Sequence, residues 1–251
     1  MRILLLGGIG EALRLARRLA VKHELTYSLA GRVRHQPELP CKVRTGGFGG
    51  VEGLTDFLRQ GDFERLIDAT HPYAAQISHH AVLAAGQAGI PVWAYRRPPW
   101  QPEVGDDWRW IRDWSALSAA LTGFHRPFFT IGLEPLNHIQ TLNHRPTIPP
   151  DQYWLVRCLE ARPAPVSRLT VLNATGPFNL GEELELLQRW RADVLVSKNS
   201  GGSAVAAKLK AARLLKIPVL MLQRPELPAA DAEFEAVEAI AAQLEDRGHG
   251  R

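Results

Sequence analysis

The sequence of 251 residues has few cysteines and no long hydrophobic run. Its two cysteines, Cys41 and Cys158, are far apart, with no CxxC pair and no histidine at a ligand spacing. This pattern argues against a disulfide framework and a zinc site, so no metal is expected, and it suits a reducing cytoplasm. The apolar start is cut short by glycines and by Glu11, so we expect neither a signal peptide nor a membrane span. A soluble, cytoplasmic protein is therefore predicted.

A basic run with interleaved aromatic residues is also missing. Lys and Arg number 30 against 26 Asp and Glu, which gives a formal net charge of +4. A mildly basic surface can serve nucleic acid or a small polyanion in a cleft, or it can be a solvated surface without a partner. We expect no nucleic-acid partner and no membrane partner. The charge alone does not decide between a cleft for a small polyanion and a solvated surface without a partner.

Short apolar runs alternate with segments of helical periodicity along the chain, which predicts an α/β protein with parallel, doubly wound sheets. Residues 96–102, Arg-Arg-Pro-Pro-Trp-Gln-Pro, interrupt this alternation. Such proline density is typical of a hinge or linker. We therefore predict two Rossmann-like halves with a ligand cleft between them. The first would span residues 1–108, and the second would span residues 109–251.

A turn with three glycines, residues 7–10, follows the first apolar run and precedes a helical pattern. Glycines let the backbone approach a pyrophosphate, and the helix N-terminus offsets the charge of that group. Leu13 stands where a strict GxGxxG motif has its third glycine, so a tight turn without a ligand is the alternative. The cofactor-binding candidates in this stretch are Gly7, Gly8, Ile9, Gly10 and Glu11.

The second predicted strand, residues 25–30, ends beside further polar residues. At this point of a Rossmann domain an acidic residue selects NAD, whereas Ser or Arg can hold the 2′-phosphate of NADP. Ser28, Gly31 and Arg32 are the candidates, with Arg34 close behind. They favour NADPH as the cofactor, and the alternative is that both arginines are ordinary loop charges.

Polar groups also collect where the predicted strand at residues 66–67 turns into a helix. Residues 68–73 read Asp-Ala-Thr-His-Pro-Tyr, and a similar stretch, Asn-Ala-Thr-Gly-Pro-Phe, returns at residues 173–178. α/β proteins bind ligands at the carboxyl ends of their strands. We interpret the two stretches as similar loops, one in each half.

Another predicted strand ends in Ser-Lys-Asn-Ser-Gly-Gly, residues 197–202, just before a helix. A lysine and amide or hydroxyl side chains at a helix N-terminus are suited to bind carboxylates or phosphate. The alternative is that these side chains only cap the helix.

Five stretches together resemble the precorrin-6A reductase family of cobalamin biosynthesis, in the same order and over nearly the whole chain. They are GGxxEA at 7–12, GGFGGVEGL at 46–54, DATHPYA at 68–74, ATGPF at 174–178 and VSKNSGG at 196–202. Ile9 departs from the family, which usually has Thr there. This departure puts in doubt one hydroxyl contact to the cofactor and leaves the backbone cradle intact.

The resemblance implies reduction of one ring double bond of precorrin-6A to precorrin-6B, by hydride transfer from NADPH and uptake of a proton. Thr70, Pro72 and Tyr73 would then contact the cofactor, and His71 would be the general acid, although a structural role is the alternative. The domain of residues 1–108 would bind NADP, and the domain of residues 109–251 would bind the tetrapyrrole. The substrate carries many carboxylates, so cations and polar loops should bind it. These candidates are Arg96, Arg97, Thr175, Gly176, Lys198, Asn199, Ser200, Gly201 and Arg224.

Other functions stay open beside this one. A cobalt-precorrin-6A reductase of the anaerobic route, using NADH, would have a similar sequence. A non-catalytic nucleotide-sensing protein would share the glycine turn. A short-chain dehydrogenase is disfavoured, because no tyrosine has a lysine four residues later. Neighbouring enzymes of the pathway are further candidate partners.

Overall fold

The computed structural model describes residues 1–31, 36–141, 151–159, 163–164 and 167–246. Its contacts divide the chain into two compact units, residues 1–98 with 225–251 and residues 99–224. These bounds differ from the predicted 1–108 and 109–251, because the last strand and helix of the chain belong to the first unit. Each unit contains one parallel sheet with alternating helices, so the predicted fold class of two parallel-sheet halves is confirmed.

The first unit opens with alternating strands and helices. They are β1 (Arg2–Leu6), α1 (Gly10–Leu19), β2 (Glu24–Leu29), β3 (Lys42–Thr45), α2 (Gly50–Gln60), β4 (Arg65–Asp68), α3 (Ala75–Ala88) and β5 (Val92–Tyr95).

The second unit follows the same alternation, and the chain then returns to the first unit. The elements of the second unit are β6 (Trp108–Ile111), α4 (Trp114–Ala120), β7 (Pro127–Phe129), α5 (Glu134–Thr141), β8 (Trp154–Cys158), β9 (Leu169–Asn173), α6 (Leu180–Trp190), β10 (Val194–Lys198), a 3₁₀ turn (Ser203–Val205), α7 (Ala207–Leu214) and β11 (Val219–Leu222). The returning elements are β12 (Ala232–Phe234) and α8 (Val237–Asp246).

The first sheet has the strand order β12-β5-β4-β1-β2-β3, and all its pairs are parallel. This is the doubly wound order, in which the chain reverses direction between β1 and β4. Ligands bind at the carboxyl edge beside that reversal. The loops after β1, β2 and β4 are therefore placed together.

The second sheet has the order β6-β11-β10-β7-β8-β9, again with parallel pairs. If β7 to β11 are matched with β1 to β5, the strand order is the same as in the first sheet. In each sheet the edge strand beside β5 or β11 comes from outside the run of five strands that forms the rest of the sheet. β6 precedes the other strands of its sheet, and β12 follows the entire second unit.

The core of the first unit follows from helical periodicity. Ala12, Leu15, Ala16 and Leu19 recur on one face of α1, and all four are buried. They belong to a cluster that includes residues of β1, β2 and α8. Burial of such side chains stabilises the fold by about 1.5–3 kcal/mol for each large aliphatic residue.

The two similar loops do not occupy equivalent positions. The loop at residues 68–73 follows β4, in the middle of its sheet, whereas the loop at residues 173–178 follows β9, at a sheet edge. The position of each loop in its sheet depends on which strands pair, and the sequence similarity of the two loops does not specify that pairing. The loop after β10 is the counterpart of the loop after β4. Among the described residues, every helix is too short or too polar to cross a lipid bilayer.

Candidate functional site

Residues from three separate stretches meet at the carboxyl edge of the first sheet. Leu6 at the end of β1 pairs in register with Ser28 of β2 on one side and with Asp68 of β4 on the other. The glycine turn, the end of β2 and the loop with His71 are therefore neighbours. This is the arrangement that the cofactor-binding prediction requires.

The glycine turn is fixed by a tyrosine that the sequence reasoning missed. The Gly7 N–H donates to the Ser28 carbonyl at 2.9 Å, and the Gly8 N–H donates to the Tyr27 hydroxyl at 3.0 Å. A Cβ added to Gly7 would lie 2.2 Å from Cζ of Tyr27. Tyr27 is fully buried, and burial raises the pKa of its phenol. A glycine is therefore required at position 7 by the ring beneath it.

The start of α1 fits a phosphate group. Gly8 has a φ of +126°, and a Cβ at Gly8 or Gly10 would meet no atom within 4 Å. Ile9 is the N-cap residue, and no side chain caps the first turn. The side chain of Ile9 packs into the core. The first turn of α1 therefore has no side-chain cap, and no atom fills the Cβ positions of Gly8 and Gly10, an arrangement that suits the pyrophosphate of a dinucleotide.

Glu11 and Arg97 form an ion pair with each other. Arg97 is 9% exposed, and it also hydrogen-bonds Tyr95. Burial and the Glu11 carboxylate raise the pKa of the Tyr95 phenol. A predicted cofactor residue and a predicted substrate residue thus bind one another, and this pairing ties the end of β5 to α1.

Asp68 organises the loop that contains His71. One carboxylate oxygen accepts from the N–H of Thr70 at 3.1 Å and from its hydroxyl at 2.6 Å. The other accepts from Ser78 at 2.7 Å and from Arg96 at 2.9 Å. Arg96 also contacts Glu233 and the Pro228 carbonyl. The contacts of Arg96 are those of a structural anchor, and its predicted role in substrate binding stays a prediction.

His71 lies in this loop with a defined orientation. The Tyr73 N–H donates to Nδ1 of His71 at 3.2 Å, and the two rings are 5.7 Å apart. Because Nδ1 accepts this bond, the neutral ring carries its proton on Nε2. Pro72, which separates His71 from Tyr73 in the sequence, is buried. To deliver a proton, His71 would have to be the imidazolium, in which Nδ1 also carries a proton and no longer accepts from the Tyr73 N–H.

At the end of β2, the described cation is one that the sequence reasoning did not single out. Ser28 is buried, and its hydroxyl accepts from Arg44 of β3 at 3.1 Å. Gly31 lies close to β3, since a Cβ there would be 3.6 Å from the Gly46 Cα. The predicted Arg32 and Arg34 lie outside the described residues. The register of β2 against β3 is the signal that brings Arg44 to this point.

In the second unit, the predicted residues at the end of β10 divide into two groups. Asn199 is 3% exposed, and its side chain exchanges two hydrogen bonds with the backbone of Trp100, at 2.8 and 3.1 Å. Its carbonyl accepts from Arg224 at 2.7 Å. Asn199 and Arg224 therefore hold the unit together. Lys198 is more exposed and pairs with Glu134 at 2.7 Å.

The loops after β9 and β10 meet each other. The Phe178 N–H donates to the Ala204 carbonyl at 3.1 Å, and a Cβ on Gly176 would lie 3.4 Å from that same oxygen. Thr175 is exposed, Ser200 is buried, and Gly201 has a φ of +73°. The structure thus brings together the predicted substrate residues of these two loops.

Beside these loops is a cavity of about 290 Å³ whose charged residues the sequence reasoning missed. Arg157 and Glu183 line it and form a buried pair at 2.7 Å, and the Arg157 guanidinium lies 4.0 Å from the Phe178 ring centroid. Oε2 of Glu183 has no hydrogen-bond partner among the described residues. Across all the residues that the structure describes, no group of three or more His, Cys, Asp or Glu could hold a metal ion.

Comparison with known proteins gives a consistent result along the whole chain. The family described as precorrin-6x reductase CbiJ/CobK matches residues 2–245. A precorrin-6A reductase of Rhodococcus erythropolis is 42% identical over 248 residues, 97% of this chain and 96% of that protein. One of Rhodobacter capsulatus is 38% identical over 251 residues, 98% of this chain and 97% of that protein.

A solved structure agrees with these sequence matches. It is named CobK precorrin-6A reductase, and it matches with a TM-score of 0.87 and 38% identity, covering 99% of this chain and 97% of its own. The family resemblance carried by the five motifs is confirmed. The chain belongs to the precorrin-6x reductase family.

Proposed function

We propose that this chain catalyses the NADPH-dependent reduction of one ring double bond of precorrin-6A, giving precorrin-6B in cobalamin biosynthesis. The observation that carries the proposal is the full-length identity to proteins named precorrin-6A reductase, which reaches 42%. The open glycine turn before α1 supports the part of the proposal that concerns a dinucleotide.

The first unit would bind the cofactor. The backbone of Gly7, Gly8 and Gly10 and the first amides of α1 would hold the pyrophosphate, with Ile9 packed below. Ser28 and Gly31 would lie at the adenosine ribose, and Thr70, Pro72 and Tyr73 at the nicotinamide end. When bound, the reduced nicotinamide supplies a hydride, and the protein positions the reacting groups and a proton.

The second unit would bind the tetrapyrrole. Lys198 is a half-buried cation beside the loops that contain Thr175, Gly176, Ser200 and Gly201. Carboxylates at the edge of the macrocycle would accept charge-assisted hydrogen bonds from this lysine and from the backbone of the loops. Lys198, which pairs with Glu134 in this structure, would exchange that carboxylate for one of the substrate.

His71 would supply the proton from Nε2 as the imidazolium and return to the neutral ring, whose Nδ1 then accepts from the Tyr73 N–H as in this structure. We expect His71→Ala to lower kcat about 10²-fold or more at saturating NADPH, because a positioned acid contributes on this scale. The KM for NADPH should change little. Steady-state kinetics with both substrates varied checks this split, with His79→Ala, an exposed histidine of α3, as the control. If kcat of His71→Ala equals that of the unaltered chain, the proton comes from elsewhere.

The overall reaction is tested by anaerobic incubation of the chain with precorrin-6A and NADPH. Parallel reactions with NADH, and with the cobalt form of the substrate, separate the metal-free route from the anaerobic one. We expect NADPH with precorrin-6A to be the fastest pair. Consumption of the cobalt form alone would move the assignment to the anaerobic route. Failure of every pair would leave a nucleotide-sensing protein as the better explanation.

A further inference from the structure

The end of β3 holds an arginine in a fixed orientation. Nη1 of Arg44 donates to the Ser28 hydroxyl at 3.1 Å and to the Gly46 carbonyl at 3.0 Å. Nη2 donates to the Gly47 carbonyl at 2.9 Å. The guanidinium also lies 3.9 Å from the ring centroid of Phe48. Three hydrogen bonds and one stacked ring fix the plane of this group.

This cation has no counter-charge among the residues that the structure describes. Its three acceptors are a hydroxyl and two carbonyls, and no described carboxylate pairs with it. Burial lowers the pKa of the Arg44 guanidinium. An arginine starts from a pKa above 12, so the group remains charged at neutral pH. A half-buried cation without an anion gains stability when an anionic ligand binds.

The donors that remain on Arg44 suit such a ligand. A guanidinium has five N–H groups, of which two on Nη1 and one on Nη2 are engaged. One N–H of Nη2 and the N–H of Nε have no acceptor among the described residues. Guanidinium N–H groups of this kind bind phosphate oxygens.

Its place in the fold indicates which phosphate. Arg44 pairs in register with Ser28, at the strand end where doubly wound domains contact the adenosine ribose. Residues 25–37 contain no Asp or Glu that could bind a 2′-hydroxyl in its place. A Cβ on Gly46 or Gly47 would meet nothing within 4 Å, so there is room beside these two glycines, whose carbonyls accept from Arg44.

We propose that Arg44 binds the 2′-phosphate of the dinucleotide and is the residue that makes the chain select NADPH over NADH. The inference rests on the proposed function, because it presupposes that the first unit binds a nicotinamide dinucleotide. It assigns the selectivity to a residue of β3 that is held in place by Ser28.

The test is calorimetric titration of the full chain with NADPH and with NADH. For the unaltered chain we expect tighter binding of NADPH. Arg44→Gln should weaken NADPH binding about 10- to 100-fold, the cost of losing a bidentate charged contact, while NADH binding changes less than about 2-fold. Arg44→Lys should keep part of the preference. The ratio of the two dissociation constants does not depend on the folded fraction, so partial unfolding does not imitate this result.

Two controls make the outcome decisive. Arg17→Gln, on the exposed side of α1, should leave the ratio unchanged. Arg32→Gln should reduce it less than Arg44→Gln does. If Arg44→Gln keeps the ratio of the unaltered chain, or if Arg32→Gln alone abolishes the preference, the inference is overturned and the proposed function stands. If the unaltered chain binds neither dinucleotide, the proposed function fails and the inference fails with it.

Discussion

The shape of the glycine turn depends on the contact between Gly7 and Tyr27. The phenol ring occupies the space beside Gly7, and its hydroxyl accepts from the Gly8 N–H. Tyr27 is thus both a core residue of β2 and the support of the turn. The sequence predicted the turn from its glycines, but the ring that supports it comes from a different strand, so no local pattern could reveal it.

Gly7→Ala should destabilise the fold by about 1–3 kcal/mol, because the added Cβ would lie 2.2 Å from the Tyr27 ring and force it to move. Urea unfolding measures this change in the free energy of unfolding. Gly10→Ala is the matched control, since its Cβ would meet no atom within 4 Å. Equal stability of the two variants would show that the ring does not determine the residue at position 7.

Lys208 in α7 is a second residue whose burial has a measurable consequence. It is 3% exposed, and burial together with the nearby Arg157 lowers its pKa to about 7, although Glu183 opposes this shift. In the unfolded chain its pKa is near 10.5. Between these values the unfolded chain holds a proton that the folded chain has lost. Lys208 therefore makes the free energy of unfolding rise with pH from about 7 to 10.5.

Lys208→Met should remove this dependence. The free energy of unfolding of the variant, minus that of the unaltered chain, should increase by on the order of 2–4 kcal/mol as the pH falls from 10 to 7. Urea unfolding at several pH values within that window checks the result. Lys210 is an exposed lysine of the same helix, and for Lys210→Met the difference in free energy of unfolding from the unaltered chain should not change with pH. A constant difference for Lys208→Met as well would refute the assigned pKa.

At the scale of elements, the sequence predicted the regular strands and helices and missed two edge strands, β6 and β12. β1, β2, β4 and β10 were readable because each is a short apolar run beside a helical pattern. β6 and β12 have four and three residues and are only partly buried. Each forms only because it pairs with a strand more than a hundred residues away in the chain.

The helix α8 belongs to the first unit, although it is the last described element of the chain. Its Val237, Ile240, Ala241 and Leu244 are buried in the same cluster as the apolar face of α1. β12, just before it, completes the first sheet beside β5. The stability of the first unit should therefore depend on residues 232–244, which follow the entire second unit in the sequence.

Ile240→Ala tests this dependence. Loss of a fully buried side chain should cost about 2–4 kcal/mol, and dinucleotide binding should be lost at a lower urea concentration. The measurement is binding of NADPH across a urea series. Gln243→Ala, on the exposed side of α8, should leave the midpoint unchanged. If both variants lose binding at the same urea concentration as the unaltered chain, α8 does not support the first unit.

For the whole molecule, two doubly wound sheets could be predicted from the alternation of strands and helices. The bounds of the units could not, because nothing in residues 225–251 shows which sheet they join. In the candidate site, the glycine turn, Ser28 and the loop with His71 could be proposed from the sequence because they follow strands that the sequence predicts. Arg44, Tyr27 and the Arg157–Glu183 pair were not, since strand register and packing bring them into place.

The central claim is that this chain reduces precorrin-6A with a nicotinamide cofactor. The most direct test is anaerobic incubation with precorrin-6A and NADPH, following nicotinamide absorbance and the mass of the tetrapyrrole. The account predicts one equivalent of cofactor oxidised for each product molecule, which is heavier than the substrate by two hydrogens. No oxidation with precorrin-6A or with its cobalt form, for a chain shown to be folded, would contradict it.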